Sequence, residues 1–160
     1  MGTPAYIALG SNLGDPRAQV MRGFAALSAL PCSQMLARSR LYRSAPWGVA
    51  EQPEFVNAAA ALDTALAPRE LLDALLAIER AAGRTRDSTR WGPRTLDLDL
   101  LLYGDRVLHE QGLEIPHPRL HERAFVLLPM AEIAPDLEVP GRGSVADLLA
   151  RIDTNGCVPL

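Results

Sequence analysis

A chain of 160 residues, 48% apolar and 22% charged, suits one domain over residues 1–160 built on a single sizeable core. Its formal net charge of −3 argues against a nucleic-acid partner or a polybasic membrane contact, though not against a small anionic substrate. Cys32 and Cys157 stand far apart with no Cys-x-x-Cys, the start MGTPAYIAL carries no basic leader, and no apolar run approaches a membrane span, so a cytoplasmic protein is expected.

Ala5 to Leu9 is a short apolar run ending at Gly10 and predicts a strand. The following GSNLG could cradle a phosphate but lacks the GK[ST] ending of a Walker loop; a plain strand-to-helix turn accounts for it. Asp15-Pro16 predicts an N-cap followed by proline in the first helical position, with Val20, Phe24 and Leu27 on the buried stripe. Met35 to Tyr42 predicts a strand with Arg38 and Arg40 on one face. Ser44 to Pro53, with three prolines and a glycine, is loop. Phe55 to Leu66 fits helix or strand, and the alternation of Phe55, Asn57, Ala59 and Ala61 favours strand.

Pro68-Arg69-Glu70 opens a helix with one stripe of Leu71, Leu75, Ile78 and Ala82 and an adjacent row of Leu72, Leu76 and Glu79, stopping at Gly83. RTRDSTRWGPR is polar and irregular. TLDLDLLLY then reads as a strand, with Gly104-Asp105 turning into a partner strand around Val107 and Leu108. Pro116 and Pro118 impose an extended lead into a helical stretch interrupted at Pro129. Ser144 and Asp147 resemble a capping box for a last helix to about Ile152. Helices and strands mix without strict alternation, which predicts an α+β fold with a largely antiparallel sheet.

The strand at Thr95 to Tyr103 raises a chemical question, because strands avoid aspartate. Alternation puts Leu96, Leu98, Leu100 and Leu102 on one face, and Asp97, Asp99, Leu101 and Tyr103 on the other, with the two aspartate Cα atoms about 6.6 Å apart. A surface ion-pair cluster with Arg90 and Arg94 is one reading. The other is a magnesium site, since Mg²⁺ takes one or two carboxylates and completes its shell with water and phosphate oxygens. Arg84, Arg86, Arg90 and Arg94 just upstream favour the second, because metal-binding carboxylates beside phosphate-binding arginines are the parts of phosphoryl transfer. His117 and His121 are spaced for a helical metal pair, but Pro118 lies between them and no further zinc ligand is placed to complete the set. Trp47 and Trp91, in glycine-bordered loops, could cover the core or stack on a flat heterocycle.

Several stretches together, YIALGSNLGD, FVNAAA, the Glu79 helix with GRTR, RWGPRTLDLDLLLYG and IPHPRLHERAFVLLPMAEIAPDL, resemble in order the blocks of the 6-hydroxymethyl-7,8-dihydropterin pyrophosphokinase family, over nearly the whole chain. The resemblance implies a ferredoxin-like core, a monofunctional monomer, and transfer of pyrophosphate from ATP to the hydroxymethyl group of the reduced pterin, releasing AMP, in folate biosynthesis. It also implies two Mg²⁺ ions on Asp97 and Asp99, with Arg84 and Arg94 on the phosphates as the segments 44–53 and 83–90 close over the site. For ATP it implies Glu79, Arg86, Trp91, Leu100, His117 and Arg123. For the pterin it implies Ser44, Ala45, Trp47, Phe55, Asn57, Trp91, Asp97 and Phe125, the two phenylalanines sandwiching the ring.

This chain departs from some members at four positions. Phe55 lacks the hydroxyl of a tyrosine, Leu76 and Gly112 replace polar nucleotide contacts, and Pro118 replaces an aromatic beside the histidine. Alone, Glu79 could be a buried helix carboxylate, Asn57 a satisfied core amide and Phe125 a core ring. A non-catalytic nucleotide- or pterin-binding module and a different magnesium-dependent phosphoryl or nucleotidyl transferase are the competing functions.

Overall fold

The computed structural model describes residues 2–44, 54–83 and 95–160. In chain order the elements are β1 (Thr3–Ser11), α1 (Pro16–Ser28), β2 (Ser33–Arg38), β3 (Tyr42–Ser44), β4 (Phe55–Thr64), α2 (Pro68–Ala81) and β5 (Asp97–Tyr103). Then come β6 (Leu108–Glu110), β7 (Leu113–Ile115), a 3₁₀ turn at Leu120–Glu122, α3 (Ala124–Ile133), β8 (Glu138–Val139), β9 (Gly143–Ser144), α4 (Val145–Ala150) and β10 (Cys157–Pro159).

The main sheet runs β10-β3-β4-β1-β5, with β2 also on β4, and every pairing is antiparallel. Since β2 and β3 both lie on the same side of β4, the core order is β-α-β-β-α-β with β4 and β1 at the centre. This is the ferredoxin-like α+β arrangement. Alternation divides the sheet's side chains between two apolar clusters. Ala5, Ile7, Leu9, Val56, Ala58, Ala60 and Leu62 pack with Phe24 and Leu27 of α1 and Leu71 and Leu75 of α2. Tyr6, Ala8 and Ala59 face the other way, toward Val126, Leu127 and Met130 of α3 and Leu148 of α4. Ile7, Leu62, Leu71 and Leu75 are fully buried, each contributing about 1.5–3 kcal/mol relative to exposure.

The local signals explain most boundaries. Asp15 Oδ1 accepts from Ala18 N at 3.2 Å and Pro16 opens α1. Glu70 reaches back to Ala67 N at 2.8 Å, and Gly83 leaves α2 with φ +99°, a conformation that favours glycine. Ser144 Oγ accepts from Asp147 N at 3.1 Å.

Six sequence expectations are corrected. Met35 to Tyr42 is not one strand: β2 ends at Arg38 and β3 begins at Tyr42, because Ser39 pairs with Ala59 through both its backbone N–H and its hydroxyl. That break also separates the arginines. Arg38 lies over Phe24 of α1, whereas Arg40 meets Glu132 of α3 on the opposite side. In β5 the register against β1 shifts, Ile7 facing Leu100 and Tyr6 facing Leu102. The extra residue turns Leu102 into the α3 cluster and Tyr103 into the α2 cluster, so the alternation inferred for the whole strand holds only to Leu101. The segment after Gly104 pairs with β7, not with β5. Finally, α3 runs unbroken through Pro129, which is buried; one missing N–H does not end a helix whose apolar surface is this well covered. The last helix is also shorter than expected, stopping at Ala150.

Candidate active site

Cross-strand register brings the site together. On the α3 face of the sheet, Tyr42 of β3 faces Asn57 of β4, Asn57 faces Gly10 of β1, and Gly10 faces Asp97 of β5. One step along, Ala59 faces Ala8 and Ala8 faces Asp99. The row therefore has an amide at one end, a carboxylate at the other and no side chain between them. Two strand spacings separate Asn57 from Asp97, about 9–10 Å, room for a two-ring heterocycle. Gly10 keeps that gap open: a Cβ there would stand 3.1 Å from Asn57 Nδ2.

Asn57 is 5% exposed, and its Oδ1 accepts from Ser44 Oγ at 2.7 Å. That bond orients the amide, leaving Nδ2 toward Gly10 as a donor while Oδ1 retains a second lone pair. Phe55 faces Ser44 across β3 and β4, half-buried. Phe125 stands in the first turn of α3, also half-buried, with the Arg123 guanidinium 5.5 Å from its ring centroid.

The second part of the site lies round the outer edge of β5. An open cavity of about 380 Å³ is bounded by α2 (Leu72, Leu76, Glu79), by Leu98, Asp99 and Leu100, by the β6–β7 hairpin, and by His117 and Pro118. Asp99 belongs both to the face row and to this cavity. An edge strand must satisfy its outward backbone groups, and two of the predicted residues do so here. Glu79, 4% exposed, accepts from Leu98 N through Oε2 at 2.7 Å, and His117 N donates to Leu101 O at 2.9 Å. Glu79 thus braces the strand segment between the two aspartates. Leu76, by contrast, is 40% exposed, an apolar surface at the cavity wall.

His117 Nδ1 accepts from Arg119 N at 3.1 Å, which leaves Nε2 as the protonated nitrogen of the neutral ring. Burial lowers its pKa below the ordinary histidine value; Asp99 opposes this and Arg123 adds to it. At neutral pH His117 is therefore an uncharged Nε2–H donor.

Asp97 and Asp99 are half-buried and point the same way from the edge strand. Among the described residues no cluster of three or more His, Cys, Asp or Glu could hold a metal. Two carboxylates without imidazole or thiolate do not make a zinc site, but they suit Mg²⁺, which fills its remaining positions from water and substrate phosphates. A larger depression, about 600 Å³ between His121, Arg142 and Arg151, holds none of the predicted residues, so chemistry and not volume locates the site.

Of the predicted residues, Ser44, Phe55, Asn57, Glu79, Asp97, Asp99, Leu100, His117, Arg123 and Phe125 are described. Ala45, Trp47, Arg84, Arg86, Trp91 and Arg94 lie outside the described residues, as do most of the two segments expected to close. Gly10 was missed as a site residue. The signal was present, since GSNLG follows a strand, but its register against Asn57 and Asp97 is a property of the paired sheet.

Comparison with known proteins bears on the chain as a whole. Residues 6–135 match the family described as 7,8-dihydro-6-hydroxymethylpterin-pyrophosphokinase. A Pseudomonas aeruginosa protein named 2-amino-4-hydroxy-6-hydroxymethyldihydropteridine pyrophosphokinase is 52% identical over 151 residues, covering 94% of this chain and 93% of the relative. The protein of that name from Methylorubrum extorquens is 47% identical, covering 96% of each. Among solved structures, Plasmodium falciparum wild-type HPPK-DHPS with pteroate superposes with a TM-score of 0.73 at 13% identity. It covers 93% of this chain, which spans 42% of that longer one, and the likeness bears on the fold alone.

Proposed function

We propose a residue-level account of catalysis from the premise that this chain belongs to the 7,8-dihydro-6-hydroxymethylpterin-pyrophosphokinase family. It is an enzyme of folate biosynthesis that transfers pyrophosphate from ATP to the hydroxymethyl group of the reduced pterin. The substrate oxygen attacks the β-phosphorus; the bond from that phosphorus to the bridging oxygen breaks, AMP departs with the oxygen, and the hydroxyl proton is lost.

The observation that carries the assignment of roles is the row Asn57-Gly10-Asp97. In this reading the pterin lies in the gap over Gly10, its amide-like edge against Asn57 and its hydroxymethyl end toward Asp97. Phe55 and Phe125 supply the apolar faces. The nucleotide occupies the cavity at the edge of β5, where Leu72, Leu76 and Leu100 offer an apolar bed and His117 an Nε2–H donor. Arg123 lies toward the phosphates. The triphosphate must then pass Asp99 to reach Asp97, so the pair stands where the two substrates meet. Asp97 and Asp99 would hold two Mg²⁺ ions, which would offset the triphosphate charge and favour loss of the hydroxyl proton. Glu79 keeps both carboxylates aimed by fixing the backbone of Leu98 between them. Arg84 and Arg94 would engage the phosphates, Arg86 and Trp91 the nucleotide, and Ala45 and Trp47 the pterin. The same reading takes the protein as a cytoplasmic monomer acting as a single domain; among the described residues no helix is long and apolar enough to cross a membrane.

Incubation with ATP, Mg²⁺ and the reduced hydroxymethylpterin tests the reaction. AMP and a pterin diphosphate are expected in equal amounts. ADP would mean ordinary kinase chemistry, and no product would mean a binding module.

A further inference from the structure

Glu132, in the last turn of α3, accepts from Tyr42 Oη at 2.8 Å and from Arg40 N at 2.9 Å, with Arg40 Nε 3.6 Å away. One carboxylate thus joins the end of α3 to the chain that enters β3. Each partner continues into the pterin side of the site. Tyr42 directly faces Asn57 across β3 and β4, and two residues on Ser44 donates to the Asn57 amide. On the helix, Phe125 lies seven residues before Glu132, nearly two full turns, so both project from one face of α3. Met130 and Leu127 bury the adjoining face against the sheet. The hydrophobic effect behind that packing is non-directional, whereas a carboxylate holding two donors ties one rotation of the helix to the entry of β3.

We infer that Glu132 and Tyr42 form a positioning brace that sets Phe125 over the sheet at the correct height and rotation relative to Asn57, and so govern pterin affinity without touching the pterin. The inference rests on the pterin lying between Asn57 and Phe125. It commits the nucleotide cavity to independence, because neither residue lines it.

The test is calorimetric titration of Glu132→Ala, Glu132→Gln and Tyr42→Phe with the reduced hydroxymethylpterin and, separately, with a non-hydrolysable ATP analogue and Mg²⁺. Glu132→Ala and Tyr42→Phe should weaken pterin binding about tenfold, the scale of one lost hydrogen bond, and leave the ATP analogue within about twofold. Glu132→Gln keeps an acceptor for the tyrosine hydroxyl and should recover most of the loss. Unchanged pterin affinity in the Ala and Phe variants overturns the brace, as does equal weakening of both ligands, which would make the contact merely structural. Should Glu132→Ala fail to fold, Tyr42→Phe, which keeps the ring, decides alone. Asn57→Ala in the same series separates the two claims. If it binds the pterin normally, the placement of the substrate is wrong and the brace falls with it; if it loses the pterin while the brace variants do not, only the brace is wrong.

Discussion

Asp97 and Asp99 sit where a strand would ordinarily carry apolar or β-branched side chains, and their neighbours Leu96, Leu98 and Leu100 are at most 5% exposed. The leucines hold the strand and the carboxylates use its rigidity. Replacing either aspartate by Asn keeps shape while removing charge, so turnover in Mg²⁺ should fall by at least about a hundredfold with the thermal midpoint little changed, the size expected for loss of an electrostatic group at the reacting centre. Near-normal turnover in either variant would remove that residue from the site. Gly10 makes a sharper case, because it contributes only absence. Gly10→Ala would put a methyl 3.1 Å from Asn57 Nδ2, inside the gap. Pterin affinity should drop steeply while the ATP analogue still binds; titration of the two ligands checks this. The aspartate pair was legible in the sequence because two charges in a leucine run are anomalous there. Gly10 was not, because nothing along the chain reveals that two other strands place an amide and a carboxylate on either side of it.

Among the elements, those with strong local chemistry were readable. The bounds of α2 follow from Pro68, Glu70 and Gly83 around a continuous stripe, and β4 from its alternation despite four successive alanines. What failed depended on partners remote in sequence. The break between β2 and β3 is made by Ser39 on Ala59, the face change in β5 by its register on β1, and the survival of α3 beyond Pro129 by its burial on the sheet. Close packing supplies one test at this scale. A Cβ on Gly23 in α1 would meet Leu9 Cδ2 at 2.9 Å and Leu96 Cδ1 at 3.3 Å, so Gly23→Ala should cost about 1–3 kcal/mol in denaturant unfolding, overpacking outweighing the gain in helix propensity.

The α3–β3 junction supplies another. Burial, and then the Glu132 carboxylate, push the Tyr42 hydroxyl up from 10.0 to about 12. The folded state therefore favours the protonated phenol more than the unfolded chain does. Its contribution is fully present below pH 10 and is lost as the pH rises toward about 12. Tyr42→Phe should lower stability by about 1 kcal/mol at neutral pH and shrink the decline seen in wild type over that alkaline range, measured by urea unfolding at several pH values.

At the scale of the whole molecule, the proposed function puts the two substrates on two different surfaces of one strand. The pterin side is the α3 face of the sheet, reached through β1, β3 and β4. The nucleotide side is the outer edge of β5, walled by α2 and the hairpin. Among the described strands only β5 belongs to both, and it carries the carboxylate pair. Asp97 and Asp99 stand at the junction of this division. The most direct measurement is paired calorimetry of Asn57→Ala and Asp99→Asn against the reduced pterin and a non-hydrolysable ATP analogue with Mg²⁺. The account predicts that Asn57→Ala loses about 1–3 kcal/mol of pterin binding, with ATP-analogue binding unchanged. It predicts that Asp99→Asn keeps pterin binding and loses magnesium-dependent binding of the analogue. Equal losses for both ligands in both variants would contradict it, since no division between a face site and an edge site could then stand.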